Sequence, residues 1–142
     1  MKIMAIDYGD AHTGIAISDY TETLAGYSDT LHSRRQEEVL SGIQRLIAEH
    51  GVQLLVLGYP RNMDGTEGER ARKSRKLAKT VEIWSGLPVR MWDERQTTCA
   101  AADLLDESGT FGTKRKDILD SVSATVILDD YLAWRKEHPG EV

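Results

Sequence analysis

Residues 3–18 (IMAIDYGDAHTGIAIS) form two apolar strands in the sequence pattern, joined by a turn that contains Asp7 and Gly9. The first strand ends in a carboxylate, so a buried sheet would meet solvent at Asp7. Carboxylates are seldom buried without a partner, and a divalent cation or a phosphate-bearing ligand would supply one. We expect Gly9 to adopt positive φ and Gly14 to allow another chain or a ligand to approach closely. An ordinary hairpin whose Asp begins the turn is the alternative for this segment alone.

The length and composition of the chain predict one globular domain that spans residues 1–142. Hydrophobic residues make up 40% of the sequence and charged residues 29%, as in ordinary soluble proteins. No apolar run is long enough for a membrane span, and no signal-peptide pattern is present at the N-terminus, so we expect no membrane association. Cys99 is the only cysteine, which excludes an internal disulfide and fits the reducing cytoplasm.

The charge pattern leaves nucleic-acid binding possible although the chain is acidic. A net charge of −5 argues mildly against a polyanionic partner, because phosphates are neutralised by Lys and Arg. The basic residues are clustered, however, with six of the 18 Lys and Arg in residues 70–79 and three more at 114–116. Two basic patches can bind a polyanion, particularly if some of the acidic residues bind metal.

Hydrophobic spacing and turn residues predict five strands and four helices. The strands are expected at residues 2–6, 13–18, 25–31, 54–57 and 89–92. The helices are expected at 36–50, from a Thr66–Glu69 capping box to Gly86, at 100–107 and at 117–134, the last one after a basic loop at 108–116. In the second helix we expect Ala71, Ala78, Val81 and Trp84 to face the core. Short connections make the first three strands antiparallel, and the later helical crossovers make the others parallel, which gives an α/β fold with a mixed five-stranded sheet and helices on both faces.

Carboxylates follow several of the predicted strand ends. Asp7 and Asp10 follow the first strand, a Gly-rich loop at 58–65 follows the fourth, and residues 93–95 (Asp-Glu-Arg) follow the fifth. Asp120 lies in the first turns of the last helix, where the small Ser123 and Ala124 would allow close approach to the sheet. Each acid alone is more simply explained as surface solvation, since the chain has 23 Asp and Glu. Ligand sites lie at the carboxyl ends of parallel strands, however, so these acids are expected to converge.

Convergent carboxylates predict a site for hard cations. Oxygen ligands without a His or Cys cluster suit Mg²⁺ or Mn²⁺, and the four histidines show no zinc spacing. Two such ions close together can activate water and stabilise the leaving oxygen in phosphodiester cleavage. The sequence shows no P-loop, Ser–His–Asp elbow or dinucleotide fingerprint.

Four segments in the same order resemble the YqgF/RuvX family. They are AIDYGDAHTGIAISD at 5–19, LGYPRNMDGTEG at 57–68, VRMWDERQTT at 89–98 and DSVSATVILDDYL at 120–132. Members are described as Holliday-junction resolvases and as nucleases that process the 5′ end of pre-16S rRNA. The resemblance implies an RNase H-like fold and a metal-dependent nuclease that cuts structured RNA, namely the rRNA precursor, during ribosome biogenesis. A resolvase of four-way DNA junctions is the alternative.

The resemblance also implies roles for individual residues. Asp7 would be the carboxylate shared by two metal ions, and Glu94 and Asp120 would complete the set, with Asp93 a weaker candidate than Glu94. Asn62 and Arg95 would hold phosphate or organise the site. Five basic residues would contact the nucleic-acid backbone, although they could equally be solvated surface residues. They are Arg72, Lys76, Lys114, Arg115 and Lys116. The oligomeric state is left open, a homodimer included.

The chain departs from the family pattern directly after the first turn. Where relatives often carry a Lys-Arg pair, this sequence has Ala11-His12, preceded by Asp10. Losing fixed positive charge there weakens the expected phosphate contact, and His12 could replace it only when protonated.

Two other classes of protein share parts of this pattern. Sugar kinases and actin-like ATPases have a similar phosphate-binding opening, but they close two such domains around ATP and 142 residues provide one. A non-catalytic RNA-binding or transcription-associated module of the same fold would tolerate loss of the three carboxylates, all of which are present.

Overall fold

In the computed structural model, a mixed five-stranded sheet lies between two layers of helices. The structure describes residues 1–60, 64–93 and 112–140, with side chains described outside 112–121. The strands are β1 (Lys2–Asp7), β2 (His12–Ser18), β3 (Ala25–His32), β4 (Val52–Tyr59) and β5 (Val89–Asp93). The helices are α1 (Gln36–His50), α2 (Glu69–Ser85) and α3 (Gly112–Glu137).

The strand order confirms the predicted mixed sheet. The strands lie in the order β3-β2-β1-β4-β5. Neighbours are antiparallel from β1 to β3 and parallel between β1, β4 and β5. The three parallel strands therefore end at the same side of the sheet, which we call the carboxyl edge and which is marked by Asp7, Tyr59 and Asp93.

Alternation along β1 assigns its side chains to the two helical layers. Met4 and Ile6 pack in one buried cluster with residues of α1 and α2, whereas Ile3 and Ala5 pack in the other with α3. Helices therefore cover both faces of the sheet, as predicted. Since side chains alternate along a strand, Asp7 shares the α3 side with Ala5.

The C-termini of α1 and α2 confirm their predicted glycine stops. Gly51 and Gly86 adopt left-handed φ values of 67° and 72°. The Gly51 amide donates to the Ile47 carbonyl at 2.9 Å, and the Gly86 amide donates to the Glu82 carbonyl at 3.1 Å. Glycine avoids the steric penalty of this conformation, so both helices end where the sequence indicates.

The predicted capping box of α2 is wrong. The N-cap residue is Gly68, and no side chain caps the helix. The Thr66 hydroxyl and amide instead donate to Asp64 Oδ1 at 2.6 and 2.9 Å. This local turn uses the hydroxyl that the box required, because short polar side chains bond readily to nearby backbone.

Three further predictions differ from the structure or fall outside it. Trp84 is 43% exposed rather than in the core, and Leu87 packs against the buried cluster just after α2 ends at Ser85. The last helix begins at Gly112, so the backbone of 114–116 is helical and not part of a loop. The predicted helix at 100–107 lies outside the described residues.

The C-terminal half of α3 carries an aromatic cluster, formed by Trp92, Tyr131, Trp134 and His138. The Trp92 ring meets the Tyr131 ring edge-on, with centroids 5.5 Å apart, and lies 6.3 Å from the Trp134 ring. The Trp134 and His138 rings are stacked at 4.4 Å. The cluster attaches β5 to α3. Within the described part of the chain, no helix combines the length and apolar character that a membrane crossing requires.

Candidate functional site at the carboxyl edge

Asp7 is a buried carboxylate at the end of the central strand. The residue is 7% exposed and is the last one of β1. Its partner in β2 is Gly14, and Gly58 occupies the next register position in β4 after the Ile6–Leu57 pair. Both flanking positions lack side chains, so the sheet leaves space beside this carboxylate for a ligand.

Arg70 brings positive charge to Asp7 from the first turns of α2. Its Nη2 atom lies 3.7 Å from Asp7 Oδ1 and donates to the Tyr8 carbonyl at 3.4 Å. A buried carboxylate needs such compensation, because burial disfavours its charged form. Arg70 therefore places a compensating positive charge beside the buried Asp7 carboxylate.

Gly9 is required in the turn by a close backbone contact. A Cβ atom added there would lie 2.3 Å from the His12 carbonyl oxygen. The predicted positive φ is wrong, since Gly9 lies outside the left-handed region. The backbone passes too close to itself for any side chain, and this proximity makes glycine necessary.

Asp10 pairs with the next cation along α2. Lys73 Nζ lies 3.3 Å from Asp10 Oδ1 and 3.5 Å from Glu69 Oε1. The hydrogen bond to Asp10 is the main cause of a raised pKa for the Lys73 ammonium. Lys73 is therefore firmly charged, and Asp10 neutralises part of that charge.

A cleft of about 240 Å³ opens beside this pair, and we call it the basic cleft. It is lined by Tyr8, Asp10, Arg34, Gln36, Lys73 and Lys76. Lys76 was predicted to contact substrate and lies in this lining. Arg72 carried the same prediction; it is exposed on α2 but does not line the cleft.

Glu67 fixes the segment before α2 through two partners. Its carboxylate accepts hydrogen bonds from Arg75 Nε at 2.9 Å and Nη2 at 3.1 Å, and from the Tyr59 hydroxyl at 2.5 Å. The Arg75 bonds, followed by the Tyr59 bond, lower the pKa of Glu67 to about 2. Tyr59 ends β4, so this network ties the carboxyl edge to α2.

His12 lies beside a second histidine in the structure. It pairs in register with His32 of β3, and the two Nδ1 atoms are 2.9 Å apart. The proposed contact between a protonated His12 and phosphate stays a prediction.

Several predicted site residues cannot be placed. Asn62, Glu94 and Arg95 lie outside the described residues. The remaining ones belong to the backbone of α3, but their side chains are outside the description: Lys114, Arg115, Lys116 and Asp120. Among the side chains that are described, no group of three or more His, Cys, Asp or Glu could hold a metal ion.

Sequence reasoning missed Arg70 and Lys73 as partners of the turn, and Arg34 as part of the cleft. The signal for the first two was the spacing of the basic run. Ala71, Ser74, Leu77 and Ala78 are buried, so Arg70 and Lys73 share a stripe one turn apart at the helix start. Arg34 carried no comparable signal.

Comparisons with known proteins match the chain along nearly its whole length. Residues 1–134 match the family model described as "RuvX: Holliday junction resolvase". A "Putative pre-16S rRNA nuclease" of Halothermothrix orenii is 37% identical over 140 residues, covering 99% of this chain and 100% of that protein.

Solved structures share the fold at low sequence identity. Thermus thermophilus RuvC in complex with a Holliday junction substrate gives a TM-score of 0.62 at 11% identity, with 96% of each chain covered. Fowlpox virus resolvase with Holliday junction DNA gives 0.56 at 11% identity, covering 98% of this chain and 99% of that one. These likenesses confirm the predicted RNase H-like fold.

Proposed function

The chain belongs to the RuvX family, and from this premise we propose that it is a metal-dependent nuclease acting on structured RNA. The proposed substrate is the 5′ extension of pre-16S rRNA, cleaved during ribosome biogenesis in the cytoplasm. The observation that carries the proposal is Asp7, a buried carboxylate at the carboxyl edge with glycine on both sides. RNA is taken as the substrate because of the name of the relative from Halothermothrix orenii.

The chemistry of Asp7 suits a ligand of a divalent metal ion. A buried carboxylate supplies the hard oxygen that Mg²⁺ and Mn²⁺ prefer, and the glycines beside it leave room for a hydrated ion. Two such ions, when bound, would lower the pKa of an attacking water and stabilise charge on the scissile phosphate.

Glu94 and Asp120 are the proposed further ligands, as the family resemblance implies. Ala124 is fully buried against the sheet in the α3 cluster, and residue 120 precedes it by one helical turn. Trp92, one residue before the end of β5, packs on the α3 side. Asp7 also lies on the α3 side of the sheet, because side chains alternate along β1.

The chain's own residues have four proposed tasks. Asp7, Glu94 and Asp120 would hold the ions. Arg70 compensates the negative charge of Asp7 and limits repulsion when a phosphate arrives. Asn62 and Arg95 orient the phosphate, and Arg72, Lys76 and the basic residues at 114–116 contact the backbone without reading sequence. In-line attack by water would then leave a 5′-phosphate and a 3′-hydroxyl.

The central test is cleavage of a 5′-extended rRNA precursor by wild type and Asp7→Asn, with Mg²⁺ or Mn²⁺ supplied. We expect the variant to lose on the order of 100-fold or more in rate, because a ligand is removed. Glu82→Gln, an exposed carboxylate-to-amide change on α2, is the matched control and should cleave as wild type does. Undiminished cleavage by Asp7→Asn would refute the proposed site.

The same assay run on a four-way DNA junction distinguishes the second candidate function. The family description and the likeness to RuvC favour it enough for testing. A resolvase would cut the junction faster than the RNA. A homodimer would carry two Asp7 sites related by a two-fold axis, which matches the two-fold symmetry of the junction. Binding of RNA by wild type with no cleavage of either substrate would instead indicate a non-catalytic module.

A further inference from the structure

The basic cleft carries an excess of positive charge in an otherwise acidic protein. Its lining has three cations, Arg34, Lys73 and Lys76, and one carboxylate, Asp10. Within the described part of the chain, no carboxylate forms an ion pair with Arg34 or Lys76. Uncompensated cations facing one cleft attract an anion.

The size and position of the cleft indicate what kind of anion fits. At about 240 Å³ it is smaller than the roughly 300–1,000 Å³ of pockets that enclose drug-sized ligands, and it opens to solvent. It therefore suits one group of a longer chain. Tyr8 lines it and directly follows Asp7, and the Tyr8 carbonyl accepts a hydrogen bond from the Arg70 side chain that contacts Asp7.

We propose that the basic cleft binds a backbone phosphate of the nucleic-acid strand next to the Asp7 site, and that Asp10 limits this binding by occupying Lys73. The ligand is taken to be nucleic acid because of the proposed function, and the inference rests on that function to this extent. Arg34 and Lys76 contact the phosphate, and Lys73 does so only when it is released by Asp10.

Asp10 is well suited to compete with a ligand. Its side chain is 68% exposed and that of Lys73 is 48% exposed, so the ion pair can open without unfolding anything. Exposed pairs of this kind contribute little stability. The Asp10 charge also repels an approaching phosphate, so its removal should strengthen binding of a polyanion rather than weaken it.

The test measures binding by the full chain without divalent metal, so that cleavage plays no part. Labelled single-stranded RNA and DNA of one sequence are titrated with protein and followed by fluorescence anisotropy over about 50 to 200 mM salt. The variants are Asp10→Asn, Arg34→Gln and Lys76→Gln. The controls are Glu82→Gln and Lys79→Gln, exposed residues of α2 outside the cleft lining.

The expected results differ in sign between the cleft residues. Asp10→Asn should tighten binding about two- to fivefold, the range for one exposed charge interaction. Arg34→Gln and Lys76→Gln should each weaken binding and reduce the salt slope by about one. The effects should be equal on RNA and DNA, because phosphate contacts do not read the sugar.

Three results would overturn the inference. The first is Asp10→Asn binding as wild type or more weakly, and the second is Lys76→Gln behaving like Lys79→Gln. In a Lys73→Gln background Asp10→Asn should give a smaller gain, because only the removed repulsion remains, and the third contradicting result is a gain of undiminished size. Thermal unfolding verifies that each variant is folded.

This outcome is separable from that of the proposed function. If the precursor is cleaved through Asp7 but the cleft variants bind alike, the inference fails and the nuclease stands. If the cleft variants behave as expected and no substrate is cleaved, the nuclease fails and the cleft stands.

Discussion

Asp7 and Asp10 lie three residues apart in one turn, yet their surroundings give them different chemistry. The Asp7 side chain is 9% exposed at the end of β1, whereas that of Asp10 is 68% exposed. Each meets a cation from α2, Arg70 or Lys73, one helical turn apart. The difference shows that burial decides the role, because a buried carboxylate needs a strong partner and an exposed one exchanges partners freely.

The largest expected effect is a difference in metal binding between variants of the two carboxylates. Mg²⁺ or Mn²⁺ should raise the midpoint of thermal unfolding of wild type and of Asp10→Asn, but not that of Asp7→Asn. A ligand that binds only the folded state at 100 times its Kd adds about 2.7 kcal/mol. Calorimetry at increasing metal concentration measures this, and an equal rise in the Asp7 variant would remove the distinction between the two residues.

The next prediction concerns Gly9, which separates the two carboxylates in the turn. Gly9→Ala should destabilise the fold by about 1–3 kcal/mol, because the new methyl group overlaps the His12 carbonyl. Denaturant unfolding gives the free energy. Gly26→Ala is the matched control, since its Cβ would meet atoms no closer than 3.7 Å. Equal effects in both variants would show that the turn does not need glycine.

A smaller effect is expected from the cation that faces Asp7. Arg70→Ala should slow cleavage of the rRNA precursor about 10-fold, as expected for a residue that orients a metal ligand. Arg72→Ala, two residues away and outside the basic cleft, should leave kcat within about twofold of wild type, because Arg72 is proposed only as a backbone contact. The comparison uses kcat and KM separately, because a purely electrostatic contact with substrate would change KM alone. Identical profiles for the two variants would contradict the role given to Arg70.

The smallest expected effect is the pH dependence of the stability that Glu67 contributes. Glu67 is the third carboxylate that pairs with a cation of α2. Its folded pKa is lowered from 4.5 to about 2, so its bonds to Arg75 and Tyr59 stabilise the fold above about pH 4.5. That contribution is lost as pH falls toward 2. The difference in unfolding midpoint between wild type and Glu67→Gln should therefore be largest near neutral pH and shrink in acid. A difference that is independent of pH would exclude the ion pair as its source.

The sheet and Asp7 were predictable from the sequence because local signals determine them. Apolar runs and glycines predicted the strands and the helix ends, and the carboxylate after the first run predicted where β1 ends. Contacts between distant segments were not predictable in this way. Lys73 and Asp10 are 63 residues apart, and their meeting depends on how α2 is rotated on the sheet.

Local competition explains the other errors. Thr66 has the spacing of a capping residue, but Asp64 lies two residues away and takes its hydroxyl. Gly9 was assigned positive φ because glycine usually serves that purpose, whereas the turn needs it for the approach of the His12 carbonyl. The Thr66 outcome follows from a competing local hydrogen bond, and the Gly9 outcome from a backbone approach that residue spacing alone does not contain.

The aromatic cluster has a spectroscopic consequence. Two of the three tryptophans, Trp92 of β5 and Trp134 of α3, have ring centroids 6.3 Å apart. Their emission will respond to the separation of strand and helix, while Trp84, which is 43% exposed, adds a separate signal from α2. Replacing Trp84 with Phe would leave an intrinsic fluorophore pair between β5, which ends one residue before Glu94, and α3, which contains residue 120. Fluorescence of this pair therefore reports the separation of β5 and α3 without an added label.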